Sequence, residues 1–370
     1  TGCDYPSIDS PGSIESAIAY LPHVAEGVDR AARNEFLCLS REEGGGQDLL
    51  LDKTALIHGV GMSAVDYAVM AADGASLVWS PRTNVSLYGF TAPVTMARAL
   101  GVNIALGTDW PSSGSQNMLR ELRCADRLDA SNYGDAFTDR ELVDMATVNA
   151  AAALKTDMKI GSLRPGLEAD VAIFDAAARP GYRAIIEGEP SSVALVMRSG
   201  EVLYGDAEVV RALRSSGCED LDVCAAEKQV CAQGDAGRTV AQLQGAVSSD
   251  TIALFSCGEP MNEPTCVPFR PMAFMGIPME GDMDGDGVVD AMDNCPAVFN
   301  APMPLDEDAQ ADADMDMVGD ACDVCPLEAD TTSCNPPDPA DRDADQVPNA
   351  MDNCPDTPNP DQTDGDMDML

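Results

Sequence analysis

The sequence predicts an α/β protein: a parallel sheet covered by helices, then a small β-unit, then an irregular acidic tail rich in cysteine. Three observations carry that prediction. Short, continuously apolar runs alternate with helical patterns over roughly the first 155 residues, the signature of a parallel sheet buried on both faces. From about residue 160 to 205 the pattern becomes paired strand-like runs. From Cys218 onwards lie ten of the 13 cysteines, and from Glu280 onwards 26 Asp or Glu residues stand against a single Arg342.

Ala17–Leu21, Ala55–Ile57, Ala75–Trp79 and Val102–Leu106 each read as a buried strand ending in polar residues. Ala64–Ala72 and Ala92–Leu100 read as helices between them, with Gly101 as a C-cap. A long helix is expected over Asp139–Leu154, because Thr138 and Glu141 form the S/T-x-x-E capping box. Asp170–Phe174 and Val193–Arg198 read as strands, the second turning through Ser199–Gly200 into Glu201–Tyr204 as a hairpin. No fold is assignable to 206–280, which holds five cysteines and many prolines. The expected division is therefore 1–158, 159–210, 211–280 and 281–370.

A net charge of −41 repels nucleic acid and anionic membranes and attracts cations, calcium foremost. Dense, closely spaced cysteines in a stretch of low hydrophobicity read as disulfides formed in an oxidising compartment. A zinc site at Cys322 and Cys325 is the competing reading, but no second pair of suitable spacing and no histidine past His58 support it. An odd count in 206–280, and again in the tail, implies pairs that cross regional borders or unpaired thiols. There is no run of 18 apolar residues to span a membrane. No signal peptide is visible, and the start at Thr1 suggests that one was lost with an N-terminal segment.

The tail repeats itself: DMDGDGVVDAMDNCP (282–296) returns as DRDADQVPNAMDNCP (341–355), with DADMDMVGDACDVCP (312–326) between them, and a fourth copy begins at Asp364. Asp282, Asp284 and Asp286 occupy positions 1, 3 and 5, Gly287 position 6, and Asp290 and Asp293 positions 9 and 12. Side chains at that spacing converge on one point in a tight turn, which makes a calcium loop. Asp312, Asp314, Asp316, Asp320 and Asp323 form the second set, and Asp341, Asp343, Asp345 and Asp352 the third. A merely solvated acidic tail would not keep this register three times, each closed by Cys-Pro. These repeats resemble thrombospondin type 3 repeats. The resemblance implies an extracellular, calcium-filled rod with disulfides between neighbouring repeats, in which Cys295, Cys322, Cys325 and Cys334 pair internally and Cys354 pairs beyond Leu370.

His23, His58 and Asp109 sit at the ends of successive expected strands. Each alone reads as a satisfied loop residue, but ligand-type residues at three successive strand ends mark the chemical face of a barrel. PHVAEG, LIHGVG, SPRTN, ALGTDW and IGSLRPGLEADVAIFD, in this order, resemble the C-terminal half of amidohydrolase-superfamily enzymes of the deaminase and chlorohydrolase branch. The resemblance implies half of a (β/α)8 TIM-type barrel with a small β-sandwich segment, entered through Gly161, Gly166 and Asp170. It implies His23 as a metal ligand, Glu26 as proton shuttle, His58 as the group polarising substrate, and Asp109 as metal ligand and general base. Zn2+ or Fe2+ would be the metal, and Arg82 and Asn84 would either reach substrate or serve only in loop hydrogen bonding. The implied reaction is hydrolysis of a non-peptide C–N bond in a small molecule, by a secreted or surface-attached protein. The alternative is a non-catalytic calcium-binding adhesion protein with a degenerate barrel.

The departures from that family are specific. Its HxH pair is absent, with no histidine left to replace it, and only four of eight strands are expected here. Trp110 after Asp109 should narrow or reshape the pocket relative to members with a small residue there. The expectation is that an N-terminal half was lost, and that the half barrel folds poorly, holds metal weakly and turns over nothing.

Overall fold

The computed structural model describes the chain except residues 1, 4, 6–7, 247–252, 254, 330–331, 335–339, 342–346, 349–350, 354–359, 361 and 364–370. In order, α1 (Pro11–Ile14), β1 (His23–Val24), α2 (Arg30–Leu39), β2 (Ala55–His58), α3 (Ala64–Ala72) and β3 (Ser76–Trp79) are followed by α4 (Pro81–Tyr88), α5 (Val94–Ala99), β4 (Asn103–Leu106), α6 (Met118–Asn132), α7 (Asp139–Met145) and α8 (Val148–Ala153). The four strands form one parallel sheet in the order β1-β2-β3-β4. Helices follow β1, β2 and β3, as parallel connections require. Asp66 shows how local and tertiary signals coincide. It closes the capping box of α3 with Ser63 and accepts two hydrogen bonds from Arg33 of α2, at 2.7 and 3.0 Å.

Two expected elements differ. Ala17–Leu21 is not a strand: Ile18 is exposed, Tyr20 makes only an isolated bridge to Thr54, and the strand proper starts at His23. Pro22 has no N–H to donate and interrupts the ladder, while Lys53 Nζ holds the carbonyls of Ile14, Glu15 and Ala17 in a turn. The helix expected over Asp139–Leu154 breaks into α7 and α8 at Thr147, whose hydroxyl donates to the Val143 carbonyl at 2.8 Å. Back-bonding of this kind competes with the helical ladder. The Thr138–Glu141 capping box forms as expected.

β5 (Val171–Phe174), β6 (Val193–Arg198) and β7 (Glu201–Asp206) build a second, antiparallel sheet. After α9 (Arg183–Ile186) and α10 (Ala207–Leu213), the segment without an assignable fold supplies β8 (Glu219–Val223) and β9 (Ala226–Val230), giving the order β5-β6-β7-β9-β8. This sheet therefore has strands on both sides of residue 210. The cysteine arithmetic resolves accordingly. Cys218–Cys231 and Cys224–Cys257 are local, whereas Cys124–Cys266 ties α6 to the fifth cysteine of the linker. Cys3–Cys38 closes the N-terminal segment, and Cys322 and Cys325 are each in a different disulfide, with Cys295 and Cys334. That pairing removes the zinc reading of Cys322 and Cys325. Cys354 lies outside the described residues.

An open parallel sheet leaves edges and apolar helix faces to be covered. Asn149 of α8 donates to the Ile104 carbonyl of edge strand β4 at 3.0 Å. Much of the remaining cover comes from the end of the linker and the start of the acidic region. Phe274 and Phe299 stack edge-on against each other (5.1 Å) and against Phe90 (4.9 and 6.4 Å), in the same core cluster as Leu56, Leu77 and Leu122. The Phe299 N–H donates to the Asn132 carbonyl, and Asn132 Nδ2 donates to the carbonyls of Asp284 (2.7 Å) and Gly276 (3.2 Å). Gly89 ends α4 with φ +74°, and a Cβ there would meet the Phe269 carbonyl at 2.2 Å, so linker and helix close up on a bare backbone. The expectation that an isolated half barrel folds poorly took no account of this cover.

Beneath α4, Glu121 is fully buried and accepts the Arg82 N–H at 3.1 Å. Burial pushes its carboxyl up to about 7 from 4.5, against the opposing pull of Ser115 and Arg82. The folded state thus holds this proton more tightly than the unfolded chain does. The contribution is complete below about pH 4.5 and is lost as pH rises through about 7. Urea unfolding with calcium present should show Glu121→Gln flattening the decline of stability between pH 5 and 8, by on the order of 2–3 kcal/mol. A variant that keeps the wild-type slope would refute this.

Candidate functional site

β1, β2 and β4 end at one side of the sheet. Register pairs His23 with Ile57 and Val24 with His58, so the exits of the first two strands are adjacent. At each exit a non-glycine residue is held in the left-handed region: Ala25 (φ +53°), His58 (φ +82°) and Asp109 (φ +50°). Such backbone is costly for residues with a Cβ and persists where surrounding structure enforces it, commonly at functional sites. At Ala25 the enforcing contact is Glu35, whose Oε2 accepts the Ala25 N–H at 3.0 Å.

Ligand atoms of His23, His58 and Asp109 all lie within 4.8 Å of one another. His23 is exposed, Asp109 half-buried and His58 fully buried. The rings of His23 and His58 are 5.1 Å apart. Glu26 sits two residues past β1, its Oε2 3.5 Å from His58 Nε2, and its Oε1 accepts from Tyr88 at 3.1 Å. Burial is the largest influence on His58 and holds its imidazole below its ordinary range, against the pull of Glu26 and Asp109. Burial, then Glu26, pushes the Tyr88 hydroxyl up to about 12. His58 Nε2 is buried and makes no hydrogen bond among the described residues. Two imidazoles and a carboxylate converging on so small a volume, with Glu26 beside His58, form a donor set that fits a borderline-soft divalent cation.

The two residues expected to reach substrate separate. Asn84 lies on α4 and its Nδ2 faces His58 Nδ1 at 3.0 Å. Arg82 is a correction: it is 2 % exposed, and its guanidinium donates to Ser115 (2.6 Å), to the carbonyls of Pro264 and Arg120, and pairs with Glu263 at 3.3 Å. Those partners occupy it, so it braces the linker against α6. Trp110, next to Asp109, is 65 % exposed. Sequence reasoning missed Tyr88, Thr91, Trp79 and Glu35. Only Tyr88 carried a signal, sharing a helix face with Asn84 four residues earlier.

In the tail, the oxygens of Asp282, Asp284 and Asp286 converge within 4.8 Å, and those of Asp312, Asp314 and Asp316 do the same. The two loops repeat one hydrogen-bond pattern. Asp290 and Asp320 accept from the N–H of Met283 and Ala313, both at 2.8 Å, while Asp293 and Asp323 accept from Cys295 and Cys325, both at 2.8 Å. The four expected ligands at positions 9 and 12 thus each commit an oxygen to backbone. Gly287 has φ +90°, and a Cβ there would meet the Ala273 carbonyl at 2.4 Å. Asp284 is 1 % exposed, its Oδ2 has no hydrogen-bond partner among the described residues, and burial, then Asp286, pushes its carboxyl up to about 8. A buried acid held so high, aimed among its own kind, fits a cation with oxygen preference. Gln310 Nε2 donates to Asp286 (3.0 Å) and Asp293 (2.8 Å), and Gln362 Nε2 donates to Asp352 at 2.9 Å. Each glutamine stands two residues before a repeat begins, a recurring signal that the acidic pattern overshadowed. Asp341 is described, whereas Asp343 and Asp345 lie outside the described residues.

Comparison with known proteins bears on both regions. The amidohydrolase family matches residues 24–203, and the thrombospondin type 3 repeat matches 280–302, 308–333 and 334–362. A 5-methylthioadenosine/S-adenosylhomocysteine deaminase of Teredinibacter turnerae is 37 % identical over 130 residues, covering 34 % of this chain and 29 % of the relative. The deaminase of the same description from Halobacterium salinarum is 33 % identical over 201 residues, covering 48 % and 45 %. The chain thus spans less than half the length of these relatives. Among solved structures, an adenosine deaminase from Xanthomonas campestris with bound zinc aligns with a TM-score of 0.43 at 23 % identity, over 50 % of this chain and 45 % of that one. Atrazine chlorohydrolase from Arthrobacter aurescens with zinc gives 0.43 and 23 %, over 55 % and 48 %. The chain carries an amidohydrolase-family domain over residues 24–203, followed by thrombospondin type 3 repeats.

Proposed function

We propose that the amidohydrolase-family region serves a metal-dependent hydrolase that cleaves a non-peptide C–N bond of a small molecule, an aminated heterocycle of the nucleoside type. The supporting observation is the convergence of His23, His58 and Asp109 within 4.8 Å, beside Glu26 and at three strained strand exits. His23 and Asp109 would hold the ion, zinc or iron. When bound, such an ion supplies Lewis acidity that makes hydroxide available near neutral pH. Asp109 takes the proton from the attacking water as general base. His58 donates to the substrate atom on which charge develops, and Glu26 delivers a proton to the departing nitrogen. Nucleoside deaminases among the relatives favour an aminated purine-like substrate. His23 and Asp109 are two protein ligands where catalytic zinc sites take three, so these 370 residues alone bind the ion weakly and give no turnover.

The acidic repeats, in this reading, hold calcium in the loops 282–293, 312–323 and 341–352 of a protein working outside the cell, where the six disulfides among the described residues persist. As a division of labour, 1–158 carries the chemistry, 159–210 and 211–280 support it, and 281–370 is the calcium-binding part.

Two measurements test these assignments. Calorimetric titration of zinc into the calcium-loaded chain should show weak binding near one per chain, lowered at least about tenfold by His23→Ala or by Asp109→Ala. Failure to bind zinc or iron at any concentration would end the hydrolase reading. Separately, chelating calcium should lower the unfolding midpoint of the whole chain. The loss should be about 2–3 kcal/mol relative to calcium at a hundredfold above its Kd, and Asp284→Asn should remove part of it. An unfolding curve indifferent to chelator would sink the calcium assignment.

A further inference from the structure

A chain of hydrogen bonds runs from the sheet into the site. Trp79 Nε1, on a fully buried indole of β3, donates to Thr91 Oγ1 at 2.6 Å. Thr91 Oγ1 donates to Asn84 Oδ1 at 3.3 Å, and Asn84 Nδ2 meets His58 Nδ1 at 3.0 Å. Direction along this chain is set by its first member. An indole N–H can only donate, a hydroxyl has one proton to pass on, and an amide nitrogen can only donate. Nδ1 of His58 is therefore the acceptor, and a neutral imidazole that accepts at one nitrogen carries its proton on the other.

We infer that Trp79, Thr91 and Asn84 are positioning residues that hold His58 as its Nε2–H tautomer, a fixed hydrogen-bond donor into the site. The donor is unspent: Nε2 is buried without a hydrogen-bond partner among the described residues, with Glu26 Oε2 the nearby carboxylate at 3.5 Å. A metal-ligating histidine gives its lone pair to the ion and its remaining N–H to a neighbouring acceptor. Here the neighbour is a donor, so the polarity is reversed. His58 is thereby set apart from His23, although both lie in one cluster. Its N–H is suited to a ring nitrogen or carbonyl oxygen next to the carbon under attack. The inference rests on the hydrolase reading for its purpose, but the tautomer is read from the imidazole itself in the zinc-free chain.

The chain has only two histidines, which makes the test direct. Long-range 1H–15N correlation of the full chain labelled at histidine nitrogen, with calcium at pH 8, resolves two rings, and His23→Gln assigns His58. The expected spectrum has a pyridine-like Nδ1 and a pyrrole-like Nε2. Asn84→Asp, which turns the donor into an acceptor, should place a proton on Nδ1. Thr91→Val should leave a mixture of tautomers. Added zinc should move the His23 signals and leave the His58 Nε2 proton in place. A pyrrole-like Nδ1 in the wild-type protein overturns the inference, because the amide must then face the other way. Loss of the Nε2 proton on zinc addition also overturns it. If Asn84→Asp does not fold, the Thr91→Val spectrum decides, and an unchanged single tautomer there counts against the chain.

Discussion

Four parallel strands that do not close on themselves leave two unpaired edges and helix faces that water must be kept from, and the way this chain meets that demand shapes the whole molecule. Asn149 caps a carbonyl of β4, and Phe274 and Phe299 come from beyond residue 266 to complete the core around Phe90. Burying three aromatic rings edge to edge stabilises by several kcal/mol in area alone. The acidic region is therefore part of the packing that supports the site-bearing sheet. Cys124–Cys266 holds that cover covalently, closing a span of 142 residues that would otherwise be expensive to order.

The same dependence runs through Asn132. One side chain joins the end of α6 to the backbone of the first acidic loop, whose buried carboxylates repel one another unless a cation lies among them. That loop is thereby joined to α6, whose Arg120 carbonyl and Glu121 side chain accept from Arg82 of α4. Arg82 illustrates a general point about family motifs. Its place in SPRTN suggested contact with substrate, yet burial against Glu263 gives the guanidinium a different task. An arginine removed from water must be fully partnered, and here the partners come from the linker.

At the strand exits the backbone and the side chains tell one story. Left-handed φ at Ala25, His58 and Asp109 turns each strand sharply, so that His23, Glu26, His58 and Asp109 face one volume instead of continuing outward along three strands. Tyr88 and Asn84, four residues apart on α4, each hold one of these groups from behind.

What the sequence determined by itself is what depends on near neighbours. The Thr138–Glu141 capping box, the apolar runs of β2 to β4, the hairpin through Ser199–Gly200 and the convergence of carboxylates at positions 1, 3 and 5 all follow from spacing within about a dozen residues. The ends of β2 and β4, beside His58 and Asp109, were legible for the same reason, because a continuous apolar run marks where each strand stops. The break at Thr147 and the loss of a strand before Pro22 were local too, but there a hydroxyl and a missing N–H overrode a pattern of apolar residues. Only the tertiary structure decided the rest. Cys124 with Cys266, Phe90 with Phe274, Asn132 with Asp284 and Trp79 with Thr91 and Asn84 join residues whose types occur everywhere and whose spacing says nothing. Such contacts exist because an open sheet must be covered and buried polar groups must find partners, and both demands are met by whatever the chain folds into reach.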